Sequence, residues 1–381
     1  MISVSTVNAA LKSYYLDVLI NNLNNSISPL YQKFKTTQSF VSGKEILKPV
    51  CYELSSGIAA LGEYDELPAA DSNKYAVLKS ELKNLYGTIQ ITDKAMRASA
   101  DTEGAVVNLL NAEMEGLISA AKQKFSRMLY GDGKELLGTV TAATSAKTTF
   151  TISDASKIKA GMKLKFVAPG TMGDATVASV SGTTVTLTAA ATLAENTAVY
   201  NGDTYAKELN GLETFFSKPT TLYGINTNGK AWLKPYVGTE TGDISDIKIQ
   251  TAIDSAEEAS GGKIDFITCS YGVRRAYQNY LETTKRNINP VELEGGYRAI
   301  SYAGIPVVAD RYCPSGAMYL LDTTLFDMHQ LCDWQWLEGE GGTVLKQESG
   351  KAAYTATLVK YANLMCFLPC GQAKLSGVTE K

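Results

Sequence analysis

The chain has 381 residues, 45% apolar and 20% charged, with 36 basic and 39 acidic side chains and a net charge of −3. These ordinary globular values exclude a disordered or collagen-like chain, a disulfide miniprotein and a strongly basic whole-chain footprint for nucleic acid. The length suits two or three domains. A single histidine, His329, excludes a multi-histidine metal site and leaves any Ser-His-Asp hydrolase only one base. The 21 tyrosines combine buried area with a polar tip, which suits packing and interfaces. No apolar run approaches the ~18–20 residues that span a bilayer, so no membrane contact is expected. The N-terminus lacks the basic and apolar regions of a secretory signal, which makes cytoplasmic synthesis the expectation. The six cysteines (51, 269, 313, 332, 366 and 370) are scattered, as buried reduced thiols would be. The Cys366/Cys370 pair has no companion motif, so no zinc site is expected.

In chain order, Val7, Leu11, Tyr14, Tyr15 and Val18 repeat at helical spacing within residues 1–40, and Ser28-Pro29 breaks the pattern. Leu47 to Tyr52 reads as a strand, Ser55-Ser56-Gly57 and Leu67 to Asp71 as turns, and Lys83 to Ile91 as the returning strand. On that strand Leu85, Gly87, Ile89 and Ile91 share one side. A two-stranded excursion of this kind is marginal alone and needs something to lean on. Residues 100–130 carry the strongest helical pattern. Asp101 and Glu103 start it, Val106, Leu110, Met114, Leu117, Ala121, Phe125 and Met128 line one face, and Gly131 stops it. Residues 134–203 turn Thr-, Ala- and Val-rich, with a hairpin pattern around Ser181-Gly182, and read as a small inserted β module. Beyond it, Ile247, Ile249, Ile253 and Ala256 fit a helix ending at Gly261-Gly262. Ile264 to Cys269 reads as a buried strand, Tyr271 to Thr284 as a second helix, and residues 301–381 as mostly strands.

Chemistry is sparse. Gly131-Asp132-Gly133 is not followed by the lysine-plus-Ser/Thr signature of a phosphate loop and reads as a helix stop. Glu338-Gly339-Glu340-Gly341-Gly342 lacks calcium-ligand spacing and reads as a turn. His329, flanked by Asp327 and Asp333, has no serine elbow to serve and reads as a structural histidine. Arg274-Arg275 and Lys285-Arg286 read as a solvated helix face. No catalytic, cofactor-binding or metal residue is expected, and the chain is not expected to be an enzyme.

The order of elements and several short motifs resemble the major capsid proteins of tailed double-stranded DNA bacteriophages, the Hong Kong 97 fold. The motifs are Tyr86-Gly87-Thr88-Ile89-Gln90-Ile91 with Ala98-Ser99, Leu129 to Gly133, and Asn210-Gly211-Leu212 within Thr204 to Phe216. Further along come Asp265-Phe266-Ile267-Thr268 with Gly272-Val273-Arg274-Arg275, Tyr302-Ala303-Gly304-Ile305-Pro306-Val307-Val308 with Asp310, Tyr319 to Asp322, and Val359 to Pro369. The resemblance implies an α+β capsid fold. Residues 1–44 would be an N-terminal arm, 45–92 an E-loop lying over a neighbouring subunit, and 93–133 the spine helix of a peripheral domain. Residues 134–203 would be an inserted β domain, 204–305 an axial domain, and 306–381 peripheral strands with a closing axial strand.

The function so implied is self-assembly into hexamers and pentamers of an icosahedral phage head, a virion capsid made in the bacterial cytoplasm. Packaged double-stranded DNA would be contacted without sequence specificity. A separate scaffolding protein is expected, because only about 40 residues precede the E-loop. A portal is expected too, and a decoration protein on the inserted domain. Lys74, Lys79, Lys83 and Asn363 are the residue types that some relatives crosslink, but no motif pairs them. The alternatives are an encapsulin-like compartment shell and a hydrolase using His329.

Overall fold

The computed structural model describes residues 28–62, 64, 66–94, 105–155, 157–168, 171–239, 242–284, 290–292, 298–338 and 344–381. The helical spacing expected from Val7 to Val18, Lys285-Arg286 and most of Glu338 to Gly342 lie outside them. The chain divides into two compact units, one from Met1–Arg127 and Phe215–Lys381, the other from Met128–Thr214.

The first unit contains a five-stranded sheet built on one long strand, Ala353–Cys366. Phe326–Trp336 pairs antiparallel with it on one side and Lys83–Thr92 on the other. Lys35–Thr37 adds in parallel outside Phe326–Trp336, and Lys346–Gln347 pairs near the start of the long strand. The helix Ala105–Tyr130 has 26 residues, about 39 Å of rise. Its Leu117 lies so close to Gly87 that a Cβ there would stand 2.8 Å from the leucine Cδ1. Leu85 and Ile89 are buried on the same strand, as their alternation requires.

Ser28-Pro29 starts a helix. Ser28 caps Pro29–Lys33 by accepting from the Leu30 N–H, and proline at the first helical position lacks only a donor that the helix would not have used. Ser28 also donates to Asp310, while its own N–H donates to Ser126 Oγ at 3.2 Å. Leu30, Tyr31 and Phe34 are buried. Tyr31 meets Phe125 edge-on at 5.2 Å and Phe34 meets Phe326 at 4.9 Å.

At the centre of this packing stands a charge. Lys360, in the long strand, has 0% exposure. Its ammonium donates to Asp333 at 2.6 Å and to Gln330 at 3.1 Å. The rings of Tyr31, Phe125 and Trp334 surround it at 5.8, 5.5 and 5.8 Å. A buried cation is tolerated only with such partners.

The second sheet has seven strands: Tyr236–Gly238, Ala373–Leu375, Met318–Leu321, Phe266–Cys269, Ile305–Ala309, Arg298–Tyr302 and Pro290–Glu292, in that order. The helices Asp246–Ser260 and Tyr271–Thr284 pack on it through Ile249, Ile253, Val273 and Tyr277 against Ile267, Val307 and Leu320. The first helix ends at Gly261, with φ 68°, a left-handed cap that glycine adopts freely. Ile247, expected on its apolar face, is 78% exposed. Ala303 and Gly304 (φ 47° and 85°) form the tight turn between Tyr302 and Ile305, and positive φ at both central residues matches the strand twist. Ile305–Ala309 and Met318–Leu321 thus belong to this sheet, because Val307 and Leu320 flank Ile267. The chain crosses to the five-stranded sheet only at Phe326, well after the expected boundary at 305.

The second unit, Met128–Thr214, is wider than the expected 134–203. Its six strands run in the order Leu136–Thr139, Ala198–Asn201, Lys163–Ala168, Thr171–Ser181, Thr184–Leu193 and Thr144–Thr151. A bridge between Val140 and Ile152 joins the first strand to the last, closing a small barrel around Phe150, Leu164, Phe166, Val185 and Val199. The expected hairpin is present, with Ser181 paired to Thr184. The two ends of the unit are clamped together. The Leu212 N–H donates to the Leu129 carbonyl at 2.8 Å, and Gly211 lies so close that a Cβ would collide with the Met128 carbonyl oxygen.

Removing the Asp333 carboxylate leaves the buried Lys360 without its counter-ion, whereas an apolar residue of similar volume removes the need for one. Asp333→Asn is therefore expected to lower unfolding free energy by about 3 kcal/mol, and Lys360→Met by much less. Urea unfolding of the two variants checks this order, and the reverse order would refute it.

Candidate assembly surface

The excursion after Lys35–Thr37 is a three-stranded sheet of Val41–Ser42, Glu45–Glu53 and Lys74–Glu81. The expected returning strand, Lys83 to Ile91, is corrected. Glu45–Glu53 pairs with Lys74–Glu81, while Lys83–Thr92 pairs over its whole length with Ala353–Cys366. Apolar alternation identifies Lys83–Thr92 as a strand, but period 2 says nothing about its partner. Lys74–Glu81 escapes a pattern search because its charges look like loop. Lys74 pairs with Glu53 at 2.6 Å and Lys79 with Glu45 at 3.0 Å across the strands. Leu78 is fully buried.

The root of this hairpin is fixed by a compact node. The Lys48 ammonium donates to Asp327 at 2.9 Å and lies 3.1 Å from the centroid of the Phe367 ring. Beside it His329 is fully buried, its Nδ1 3.0 Å from the Ser39 carbonyl. Burial pushes His329 below its ordinary value, against the Ser39 hydrogen bond and Asp327, which pull it up, while Lys48 adds to the lowering. The flanking carboxylates do not hold this ring: Asp327 takes Lys48 and Asp333 takes Lys360. Farther out, Tyr52 stacks on Trp232 at 5.1 Å with the planes 11° apart. A cleft of about 520 Å³ opens there, lined also by Lys230, Ala259 and Cys370.

The outer end, residues 54–73, is a long loop closed by a clasp. The Asp71 carboxylate accepts from Ser56 Oγ at 2.7 Å, from the Ser56 N–H at 2.9 Å and from the Ser72 N–H at 2.8 Å. Asn73 Oδ1 accepts from the Ser55 N–H at 2.8 Å. The Ser56 hydroxyl first, then the two backbone donors, hold Asp71 down to about 2. Beyond the clasp, Ile58, Tyr64 and Leu67 are 92, 96 and 88% exposed, and Leu54 follows at 77%. Four large apolar side chains exposed within fourteen residues make this loop a candidate contact surface. Nothing in the sequence pattern singles them out, because they alternate with turn residues.

The other residues singled out by sequence lie elsewhere. Asn363 is fully buried, and its amide donates to Ser80 Oγ at 3.1 Å and to the Glu81 carbonyl at 2.7 Å, so it is not open to a neighbour's lysine. Cys269, Cys313, Cys366 and Cys370 are buried free thiols, as expected, but Cys51 is exposed and Cys332 half-buried. Among the described residues no cluster of three or more His, Cys, Asp or Glu is arranged to hold a metal. Arg275 is not simply solvated, since its Nε donates to the Lys381 carbonyl at 2.5 Å. Arg274 lies 5.6 Å from the Tyr271 ring. Gly131 directly follows the last helical residue, and the positive φ of that turn falls at Gly133. No described helix is long and apolar enough to cross a membrane.

The depressed Asp71 carboxylate contributes fully above its ordinary value of 3.8 and loses its hold as pH falls through about 2. Limited proteolysis within residues 54–73 is expected to stay slow down to about pH 4. In Asp71→Ala it is expected to become several-fold faster at neutral pH, with thermal unfolding little changed. Equal cleavage of the two proteins would show that the clasp does not order the loop.

No protein-family model matches the chain, and no curated protein matches it. Among solved structures, the chain is similar to one in the capsid asymmetric unit of Cyanophage A-1(L), with a TM-score of 0.56 and 11% identity over 91% of each chain. It is also similar to an encapsulin complex from Synechococcus elongatus PCC 7942, with a TM-score of 0.49 and 11% identity over 93% of this chain and 89% of that one. The capsid of the native GTA particle gives 0.47 and 12% over 92% and 90%. Nearly end-to-end superposition on the cyanophage subunit shows the fold: the chain has the α+β, Hong Kong 97-type capsid fold.

Proposed function

We propose that the chain is a major capsid protein that assembles into the hexamers and pentamers of an icosahedral phage head and resides in the virion capsid. The observation that carries this reading is the likeness to a capsid subunit over 91% of both chains. The exposed apolar tip supports it, since repeating one heterologous contact around a closed ring covers such a surface on every copy.

In this reading the Val41–Glu81 hairpin is the E-loop and Ala105–Tyr130 the spine helix. The five-stranded sheet is the peripheral domain, and the seven-stranded sheet with its two helices is the axial domain. Residues 1–27 would extend the N-terminal arm, and the barrel would be an inserted module open to a decoration protein. A separate scaffolding protein and a portal complete the assembly. Packaged double-stranded DNA meets the shell through few, sequence-blind phosphate contacts, in keeping with the net charge of −3.

The protein's role is structural and not enzymatic. The one base a Ser-His-Asp hydrolase could use, His329, is fully buried against a backbone carbonyl.

Electron microscopy of the protein, expressed alone and with a scaffolding protein, is expected to show rings or closed shells. The double variant Ile58→Asp, Leu67→Asp is expected to keep the wild-type circular dichroism and melting temperature and to lose assembly. Stable monomers of the wild type under both conditions would sink the proposal.

A further inference from the structure

His329 is the only histidine in the chain, and the mechanical logic of the hairpin root passes through it. Its Nδ1 faces the Ser39 carbonyl at 3.0 Å. A carbonyl only accepts, so Nδ1 carries the proton and Nε2 is a bare lone pair. That Nε2 is buried with no hydrogen-bond partner. The ring meets Phe367 edge-on at 6.2 Å. Thr37 lies beside it in register on one neighbouring strand and Asn363 on the other, and neither is charged. The Asn363 amide nitrogen is already donating to Ser80 and Glu81, and its oxygen accepts from the Leu364 N–H.

Two charged groups act on the ring, Asp327 from its own strand and Lys48 from the hairpin. They are paired with each other at 2.9 Å. A proton added at Nε2 would thus meet no acceptor, a cation that repels it, and a carboxylate already engaged.

We propose that His329 is an acid-release latch for the root of the hairpin: neutral, it sits buried with its Nδ1–H on the Ser39 carbonyl, and protonated, it keeps that bond but gains an Nε2–H with no buried acceptor, so the ring must reach water and the Lys35–Ser42 segment and attached hairpin open with it. The ring is ordinary in the released chain and depressed in the latched one. The latch therefore stabilises fully above about pH 6.5 and weakens as pH falls from there. This gives the hairpin, read as the assembly arm in the function proposed above, a mildly acidic trigger.

The test uses the full unassembled chain. Hydrogen–deuterium exchange, corrected for intrinsic rates, is followed between pH 7.5 and 5.5 together with the imidazole resonance, which a single histidine assigns without ambiguity. Peptides covering 35–50 are expected to lose protection progressively as pH falls below the ordinary histidine value, with 246–260 unchanged. His329→Asn keeps an N–H for Ser39, cannot titrate, and is expected to show a flat profile. Unchanged wild-type protection at pH 5.5 would overturn the latch, as would an imidazole that titrates without any change in protection. If the variant does not fold, the wild-type resonance and exchange still decide. The readout is local and precedes assembly, so the latch stands or falls on it whether or not shells appear in the microscope.

Discussion

A single buried ammonium organises the first unit. Lys360 requires a carboxylate, an amide oxygen and three aromatic faces. Those groups come from the helix Pro29–Lys33, the helix Ala105–Tyr130 and the strand Phe326–Trp336. None of them alone meets the desolvation cost of the charge. The cation is content only when the N-terminal helix, the long helix and the sheet are all in place. Removing one partner group would leave a buried charge unmet, so the lysine ties the placement of these elements to one another.

The hairpin that leaves this core is held by different chemistry at its two ends. At the root the interactions are partly or wholly shielded from water: Lys48 with Asp327 and Phe367, and His329 with Ser39. At the tip a fully exposed carboxylate gathers hydroxyl and backbone donors. Between them the cross-strand pairs Lys74–Glu53 and Lys79–Glu45 are exposed and add little. Orientation is thus set at the root and shape at the tip, while the strands between act as a spacer whose register rests on Ile46 and Leu78, both fully buried.

Local pattern made much of this legible. The Leu85/Gly87/Ile89 face, the helix closing at Gly261 and the turn at Gly182 all follow from periods and glycine chemistry. What stayed hidden was long-range. Lys83–Thr92 finds its partner some 270 positions later, and no local period encodes that choice. Lys74–Glu81 hid because its stabilising residues are charges paired across strands. Ile247 shows the opposite failure, an apolar residue in the right phase that faces outward. The surface offered for contact was the least legible part, because Ile58, Tyr64 and Leu67 obey neither the helix period nor the strand period. Their exposure in a loop whose base is tied by Asp71 to Ser56 and Ser72 is visible only in the folded chain.

The clamp between Leu129 and Leu212 makes the barrel a cartridge. A unit whose two ends emerge side by side adds little loop-closure entropy to the rest of the chain. The barrel's first and last strands also meet, through a single bridge between Val140 and Ile152, which shortens the open edge that either would otherwise present. In the shell proposed above, a side-chain surface on this barrel would be repeated on every copy, and such repetition rewards weak binders through their number.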